Sequence, residues 1–510
     1  MKNSTLPKNS LFLFPLYLLF SVIGLFAFCK ETEKNKKANT STSAQTNTLV
    51  EASTNQITTS QDKTYGATVR IKADVTGNAR ALPIYGFNGN NLSVPWTIKK
   101  FRDTAASLHF KMIRYPGGSI ANKWDWQNGW YTDQNFANRN VPNKVLGEKS
   151  PYTLKELKLI VDQTKCEVVY VLNMITRDVN DQLEMLKAAR DLGLPVKYVE
   201  FGNEFNAPQN KSWDIFKTAN GYGEQCNAWI QKIKTVFPNA KFGVVGGNVA
   251  NVLTSNWNKK TIEKSTQTNG ITAHIYVNYK TVTDNTGINF KKLFTELNRV
   301  YDLRGFNDTQ LPDIWVTEYN IQWAAKDNDI FDANLSQSKS KLISYSSTWS
   351  QSLASIFMTS YMTGISDRTT IILNHNITNS PVFAAIDPKN DSYRKLPNGV
   401  GMEIWLKACE NMTTAQKLSF SSVSSADQLP DYNVCGWKFA NNGKYSILIE
   451  NLTENSLKID LSKLTSDVNP KVSIHYGEKN GGLETLNNIS GTINNRSIDI
   501  PAYSVVTIAN

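Results

Sequence analysis

The chain has 510 residues, of which 40% are hydrophobic and 19% charged, and its formal net charge is +11. This is the composition of an ordinary globular protein. The basic excess does not form a Lys/Arg stripe interleaved with aromatic residues, so nucleic-acid binding is not expected. With five Cys, four His and no Cys-x-x-Cys pair, a structural zinc site is not expected either.

The N-terminus has the pattern of a targeting segment. Two Lys precede an apolar run from Leu11 to Phe28, as in the charged and apolar regions of a secretory signal. The run ends at Cys29, so residues 1–29 resemble a bacterial lipoprotein signal in which Cys29 is lipidated. Because Phe28 stands where a small residue is usual, an uncleaved N-terminal anchor or a secreted protein is the alternative. Each possibility places the folded part outside the cytoplasm, in the cell envelope, with membrane contact through the N-terminus only.

Residues 30–65 are rich in Thr, Ser, Asn, Gln and Lys and contain almost no large apolar residues. Such a segment cannot bury enough surface to offset its ordering entropy. We therefore expect a disordered tether between the targeting segment and the folded part.

Strand-like and helix-like runs alternate from residue 66 to residue 410. Several of the strand-like runs are continuous and β-branched, which is typical of parallel strands buried on both faces. Helical patterns lie between them, and one begins with a capping box from Thr153 to Glu156. This alternation predicts an α/β fold, a (β/α)8 TIM barrel, and a doubly wound open sheet is the rival. The eight predicted strands are residues 84–90, 112–116, 168–174, 198–202, 242–247, 271–277, 314–319 and 369–374.

After residue 410 the helical signal stops and short β-rich runs follow, with Asn-Gly turns at 442–443 and 480–481. This pattern predicts a C-terminal β-sandwich over residues 411–510. The strand-like residues 66–80, ahead of the barrel, are a candidate further strand of that domain. Within the folded part, Cys166 and Cys226 are expected to be buried thiols, whereas Cys409 and Cys435 could pair in an oxidising compartment.

Two acidic residues lie where a barrel carries its chemistry, at the C-terminal ends of strands. Glu204 follows the predicted fourth strand, and Glu318 ends the predicted seventh. Two carboxylates flanking a glycosidic bond can hydrolyse it, one as acid/base and one as nucleophile. A separation of about 5–5.5 Å leads to retention of configuration. The alternative is a structural role, in which each of these acids forms a salt bridge with a basic residue at the barrel rim.

Further motifs accompany these acids at strand ends. Ile113-Arg-Tyr-Pro-Gly-Gly118 follows the second strand, Trp124-Asp-Trp-Gln-Asn-Gly129 comes next, Asn203-Glu204 follows the fourth strand, and His274-Ile-Tyr276 ends the sixth. In this order the motifs resemble glycoside hydrolase clan A, and they are most similar to the family 51 α-L-arabinofuranosidases, with families 39 and 79 as related possibilities. The resemblance covers residues 67–510.

The resemblance implies a retaining glycoside hydrolase without metal or cofactor, with Glu204 as the acid/base and Glu318 as the nucleophile. Asn203 would bind the sugar 2-hydroxyl, a contact that strengthens in the transition state. Arg114 would brace Glu318 and lower its pKa, and Tyr276 would donate a hydrogen bond to the same carboxylate.

The remaining expectations concern the walls of the cleft. His274 would support the acid/base region, with a buried core histidine as the alternative. Trp124, Trp126 and Trp323 are candidate platforms for sugar rings, with core packing as the alternative for each. The expected partner is an oligosaccharide or polysaccharide.

Two departures from family 51 leave the substrate open. Residues 85–91 contain no carboxylate, although the family carries a Glu there that contacts arabinose. The family's Gly-Gly-Asn is Gly117-Gly118-Ser119 in this chain. A xylosidase-like, glucuronidase-like or endo-acting clan A hydrolase therefore remains an alternative to an arabinofuranosidase. So does a non-catalytic, glycan-binding surface lipoprotein. The sugar, the linkage and the oligomeric state stay open.

Overall fold

The computed structural model describes residues 66–89, 92, 94–132, 150–206, 216, 218–247, 252–300, 312–322, 346–378, 384–388, 392–467 and 469–510. The predicted targeting segment with Cys29, the predicted tether and Trp323 lie outside these residues. No helix within the described ranges is long and apolar enough to span a membrane.

Eight parallel strands close into a barrel, in the order β12-β13-β2-β3-β6-β7-β8-β9. Each strand lies where the sequence predicted one, so the TIM barrel is confirmed and the open doubly wound sheet is wrong. Both faces of these strands are covered, as the run Val168–Val171 shows with side chains at most 1% exposed. With strands numbered β1–β21 in chain order, β1 (Gly66–Ala81) precedes the barrel strands, which are β2 (Ile84–Asn88), β3 (Met112–Tyr115), β6 (Glu167–Val171), β7 (Tyr198–Glu200), β8 (Lys241–Val245), β9 (Gly270–Asn278), β12 (Asp313–Gln322) and β13 (Thr369–Asn374).

Helices surround the barrel strands. The predicted capping box is present at the start of α2, where Glu156 accepts a hydrogen bond from the backbone N–H of Thr153 at 3.0 Å. Gly193 lies two residues beyond Asp191, the last residue of α3, and has a φ of +79°, the left-handed conformation that commonly ends a helix. The helices are α1 (Lys99–Ala106), α2 (Leu154–Thr164), α3 (Val179–Asp191), α4 (Ala219–Lys234), α5 (Val252–Lys264), α6 (Tyr279–Val282), α7 (Phe290–Val300), α8 (Trp349–Ile365) and α9 (Pro397–Ala408).

Helix α9 had no counterpart among the predicted elements. It is buried on nearly all sides and therefore lacks the one-sided apolar pattern by which helices are recognised. Two of its glycines allow close packing: a Cβ at Gly401 would lie 2.3 Å from the Ser352 carbonyl oxygen on α8. Short elements at the rim and between helices are β4 (Trp124–Asp125), β5 (Trp130–Tyr131), β10 (Thr283–Asp284), β11 (Gly287–Ile288) and a 3-10 helix at Gly118–Lys123.

The C-terminal strands form a nine-stranded, mostly antiparallel sheet in the order β19-β18-β21-β16-β15-β14-β1-β17-β20. Strands near its two ends contribute to one apolar core, for example Ile474 and Ile498, as expected for a β-sandwich. Strand β1 pairs with β14 and β17, so the chain enters this sheet before it builds the barrel. The strands after the barrel are β14 (Thr414–Ser422), β15 (Val434–Asn441), β16 (Lys444–Asn451), β17 (Asn455–Asp460), β18 (Lys471–Tyr476), β19 (Asn487–Ser490), β20 (Ser497–Ile500) and β21 (Ser504–Ala509), with a 3-10 helix at Leu483–Thr485.

The four cysteines of the described residues are free and buried. This confirms the expectation for Cys166 and Cys226. Cys409 and Cys435, whose pairing the sequence left open, do not form a disulfide. Burial raises the pKa of the Cys409 thiol to about 12, so this thiol stays protonated and unreactive.

Candidate active site

Polar side chains from six barrel strands converge at the C-terminal rim. The sheet register places these strands side by side around the barrel, so residues far apart in the chain become neighbours. The side chains are Asn88 at the end of β2, Arg114 on β3, Glu200 at the end of β7, His274 and Tyr276 on β9, Glu318 on β12 and His375 after β13.

Glu204 and Glu318 face each other at this rim, as the sequence predicted. A carboxylate oxygen of Glu204 and one of Glu318 lie within 4.8 Å of each other. Glu204 follows β7 in a turn where its own φ is +52° and that of Gly202 is +82°, a left-handed conformation that aims the acid away from the strand line. The Glu318 side chain is 5% exposed and that of Glu204 is 23% exposed, so the two acids have unequal access to solvent.

Glu318 is held by three donors. Arg114 Nη1 donates to its Oε1 at 2.6 Å, and Asn88 Nδ2 donates to the same oxygen at 3.1 Å. The Tyr276 hydroxyl donates to Oε2 at 2.6 Å. Burial by itself would raise the pKa of Glu318. The positive charges of His274, His375 and Arg114 and the Tyr276 hydrogen bond outweigh burial and lower that pKa to about 2. The carboxylate is therefore ionised in the working pH range.

His274 connects the two acids. Its Nδ1 lies 2.9 Å from Glu204 Oε1 and 3.8 Å from Glu318 Oε2, and its Nε2 lies 3.2 Å from Thr317 Oγ1. Burial disfavours the charged ring, yet Glu318 and Glu204 together raise the pKa of His274 above its usual value. The ring is thus placed to exchange a proton with Glu204, in line with the supporting role expected of it.

Asn203 is fixed from both sides. Its backbone N–H donates to Asn122 Oδ1 at 2.9 Å, and Asn122 Nδ2 returns a hydrogen bond to its carbonyl at 2.8 Å. Its side-chain oxygen accepts from Arg114 Nη2 at 2.8 Å, while its amide nitrogen lies 3.5 Å from Ser119 Oγ. This leaves the amide N–H₂ as the donating end of the side chain, as a contact to a sugar hydroxyl requires.

Three residues of the site were missed by the sequence analysis. Glu200 pairs with Arg114 through both carboxylate oxygens, at 2.7 and 2.8 Å. Asn88 Nδ2 donates to Glu318 and also lies 2.8 Å from His375 Nδ1. His375 Nδ1 is 3.5 Å from Glu318 Oε2. The strand-end rule could have selected His375, which follows the predicted strand 369–374. Asn88 and Glu200 fall inside the predicted strands 84–90 and 198–202 and end their strands only in the structure.

The tryptophans do not behave alike. Trp124 is 2% exposed, donates to the Tyr115 hydroxyl at 3.1 Å and packs edge-on against Tyr115 and Tyr131. Its ring faces are occupied by the core, so the expectation of a sugar platform is wrong for Trp124. Trp126 is half-buried on the hairpin between β4 and β5 and keeps an accessible part. Trp323 lies outside the described residues.

The ligand atoms of Glu204, His274 and Glu318 are close enough together to surround a metal ion. A cation there would compete with donors already present. Both oxygens of Glu318 accept short hydrogen bonds, from Arg114 and from Tyr276. The arrangement therefore suits proton transfer and nucleophilic attack by side chains.

No family model matches the chain, and no curated protein matches it. Solved structures match it in fold. A thermostable family 51 α-L-arabinofuranosidase from Thermotoga petrophila RKU-1 has a TM-score of 0.63 at 16% identity, covering 87% of this chain and 100% of that chain. A family 51 α-L-arabinofuranosidase from Bifidobacterium longum has a TM-score of 0.62 at 14% identity, covering 87% and 99%.

A family 44 xyloglucanase from Paenibacillus polymyxa is also similar, with a TM-score of 0.53 at 11% identity and coverage of 87% and 99%. At these identities the likeness is one of fold. It spans the barrel and the C-terminal sheet together, since these structures are matched over nearly their whole length. The chain therefore has the barrel-and-sandwich architecture of the family 51 arabinofuranosidases, as its motifs indicated.

Proposed function

We propose that the chain is a retaining glycoside hydrolase that cleaves O-glycosidic bonds of extracellular glycans by double displacement. The observation that carries this proposal is the approach of Glu204 and Glu318 to within 4.8 Å between carboxylate oxygens, in unequal surroundings. A spacing of about 5 Å leaves room for a sugar carbon between the acids but no room for an additional water molecule, which an inverting enzyme needs.

Glu318 is the nucleophile in this proposal because it is buried, ionised and oriented. Its Oε1 accepts two hydrogen bonds, from Arg114 and Asn88, whereas Oε2 accepts one, from Tyr276. A carboxylate oxygen has two lone pairs, so Oε2 retains one for the anomeric carbon. We therefore assign the attack to Oε2.

Glu204 is the acid/base. In the first step its proton passes to the leaving glycosidic oxygen as that C–O bond breaks, and Glu318 Oε2 forms a bond to the anomeric carbon. In the second step Glu204 takes a proton from water, whose oxygen displaces Glu318 and restores the starting configuration. His274 Nδ1, 2.9 Å from Glu204 Oε1, can stabilise the ionised Glu204 carboxylate between these steps, after its proton has left with the leaving group. No metal or organic cofactor enters the scheme.

α-L-Arabinofuranosides are the first substrates to test, because the structures most similar in fold include family 51 α-L-arabinofuranosidases. Asn88 ends β2 where that family carries a substrate-binding Glu, and its amide is engaged with Glu318 and His375. Because this carboxylate is missing, the substrates tested should also include aryl xylosides, aryl glucuronides and polysaccharides that an endo-acting enzyme cleaves internally. The aryl glycoside with the fastest turnover would identify the sugar.

The decisive experiment compares Glu318→Ala and Glu204→Ala on the best aryl glycoside. The nucleophile variant should lose turnover. Azide should partly restore the acid/base variant, and the glycosyl azide product should have the same anomeric configuration as the substrate. Glu403→Gln is a matched control, because it removes an ion-paired carboxylate on α9, bonded to Lys395 and Lys407 at 2.6 Å. Full activity in Glu318→Ala would refute the proposal. Glycan binding by the wild type without any turnover would favour a non-catalytic binding protein.

We also propose that the protein is anchored to the cell envelope by a lipid on Cys29, through the tether of residues 30–65. The support is the charged and apolar signal pattern that ends at Cys29. Labelling with radioactive palmitate in a bacterial host should mark the wild type and not Cys29→Ser. Label-free protein found in the membrane fraction would instead indicate an uncleaved N-terminal anchor, and protein found in the medium would indicate secretion.

A further inference from the structure

Arg114 has no idle hydrogen-bond donor. Its guanidinium carries five N–H groups, and five acceptors surround it. Nε and Nη2 donate to the two oxygens of Glu200, at 2.7 and 2.8 Å, and Nη2 also donates to Asn203 at 2.8 Å. Nη1 donates to Glu318 at 2.6 Å and lies 3.4 Å from Asn88 Oδ1. One fully buried cation therefore orients the nucleophile and the residue beside the acid/base at once.

Two carboxylates share this single cation unequally. Glu200 takes the bidentate edge of the guanidinium and is 0% exposed, whereas Glu318 takes one N–H and is 5% exposed. Burial lowers the pKa of Arg114, but Glu200 and then Glu318 raise it above its usual value, so the guanidinium stays charged. Much of the positive charge is thus compensated by Glu200 before it acts on Glu318.

We infer that Glu200 is a positioning residue of the hydrolase, which holds the Arg114 fork in place and sets how much positive charge the two acids of the site experience. The inference rests on the proposed function and deepens it. Glu200 does not contact the reacting atoms; it acts through Arg114. Thr317 Oγ1 lies 3.5 Å from Glu200 Oε1 and 3.2 Å from His274 Nε2. Thr317 therefore connects Glu200 to the ring that contacts the acid/base.

The physical reason is a compromise in the nucleophile. Glu318 must be ionised, which the surrounding donors ensure, but a carboxylate that is stabilised too strongly attacks poorly. Without the negative charge of Glu200, the full charge of Arg114 would act on Glu318 and on His274. Both groups would then lose protons at lower pH.

The ionisable neighbours of Glu200 are Arg114 and the buried phenol of Tyr222. Glu318 and His274 are ionisable neighbours of each other. The other ionisable groups around them are Arg114, Glu204, Tyr276 and His375.

The test uses full-length protein and the aryl glycoside that the wild type turns over best, with kcat/KM measured as a function of pH. Glu200→Gln removes the negative charge. It also places an amide N–H₂ against an N–H of Arg114, so one of the two hydrogen bonds between these residues is lost. We expect kcat/KM to fall about 10–100-fold. We also expect the basic limb of the profile, where the His274 proton is lost, to move about one pH unit lower, because His274 loses the influence of a nearby negative charge. Glu200→Asp keeps the charge but shortens the reach, so its kcat/KM should fall while its basic limb stays with the wild type.

Glu403→Gln serves as the control for removal of an ion-paired carboxylate outside the site, and thermal unfolding checks that each variant is folded. A basic limb in folded Glu200→Gln that coincides with the wild type would overturn the inference. If Glu200→Gln does not fold, Glu200→Asp decides: unchanged kcat/KM, or a shifted limb, would overturn it. A wild type that turns over no substrate would overturn the proposed function, and this inference with it.

Discussion

Tyr276 donates its phenolic hydrogen to Glu318 Oε2 across 2.6 Å, at the oxygen to which we assign the nucleophilic attack. Burial and then the charge of Glu318 raise the pKa of Tyr276 well above its usual value, so the phenol keeps its proton and remains a donor at neutral pH. The bond stabilises the charged form of Glu318 and points its remaining lone pair.

Tyr276→Phe should therefore raise the pKa of Glu318 from about 2 towards its ordinary value of 4.5. Because Glu318 must be ionised to attack, the acid limb of kcat/KM should move to higher pH. Loss of the oriented donor should lower kcat about 10–100-fold. The pH profile on an aryl glycoside measures both effects. An acid limb that does not move would contradict the role given to this hydroxyl.

Asn203→Ala should slow the enzyme chiefly through a missing contact to the sugar 2-hydroxyl. The side-chain oxygen of Asn203 is engaged by Arg114, which leaves its amide to donate to substrate. We expect kcat/KM to fall about 10–100-fold on a substrate with that hydroxyl and much less on the matching 2-deoxy glycoside. The comparison of two substrates and two proteins separates this contact from the effect on Arg114. An equal loss on both substrates would assign Asn203 to Arg114 alone.

Trp126→Ala should raise KM for oligosaccharides and leave kcat on a small aryl glycoside nearly unchanged, because a half-buried ring at the rim can stack on a sugar away from the bond that breaks. Trp124→Phe is the matched variant. It keeps a core ring and removes the hydrogen bond to Tyr115, so it should lower stability without changing KM. Steady-state kinetics and thermal unfolding of both variants test this, and a KM effect in Trp124→Phe would count against its assignment to the core.

Glu450→Gln should stabilise the protein at neutral pH. Glu450 on β16 is 0% exposed and accepts from Cys435 Sγ at 3.3 Å, and burial raises its pKa well above the usual value. It is therefore protonated when folded but ionised when unfolded, so it costs stability as pH rises above its unfolded value of 4.5.

We expect Glu450→Gln to gain about 1–3 kcal/mol in the free energy of unfolding near neutral pH and almost nothing below the unfolded pKa. Urea unfolding at an acidic and a neutral pH measures the difference. Glu403→Gln, which removes a carboxylate held by two lysines, should lose stability instead. A gain of equal size at both pH values would show that folding does not raise the pKa of Glu450.

The barrel was predictable because its strands carry local patterns. Several of these strands are short, continuous, β-branched apolar runs, such as Val168–Val171, and such runs are typical of parallel strands covered on both faces. The rule that chemistry lies at the C-terminal ends of strands then placed Glu204 and Glu318 on one rim. Helix α9 was not predicted because it lacks such a local pattern. It is buried on nearly all sides, so its sequence does not alternate between an apolar and a polar face.

The site was less predictable than the fold. The rim position of Arg114 followed from its motif, but its partner Glu200 did not, although Glu200 lies four residues before Glu204. A carboxylate within a strand gives no local sign of the cation it will meet. Trp124 and Trp126 stand two residues apart in one motif, and only packing against Tyr115 and Tyr131 separates the core ring from the ring at the rim.

By itself the sequence determined the alternation of strands and helices, the two acids at strand ends and the resemblance in motif to clan A hydrolases. These depend on periodicity and on neighbours along the chain. The tertiary structure decided how Arg114 directs four of its five donors to Glu200, Asn203 and Glu318, which lie 86, 89 and 204 positions from it along the chain. Barrel closure brings those residues together, and the resulting distances set their charge and orientation, which no spacing along the chain encodes.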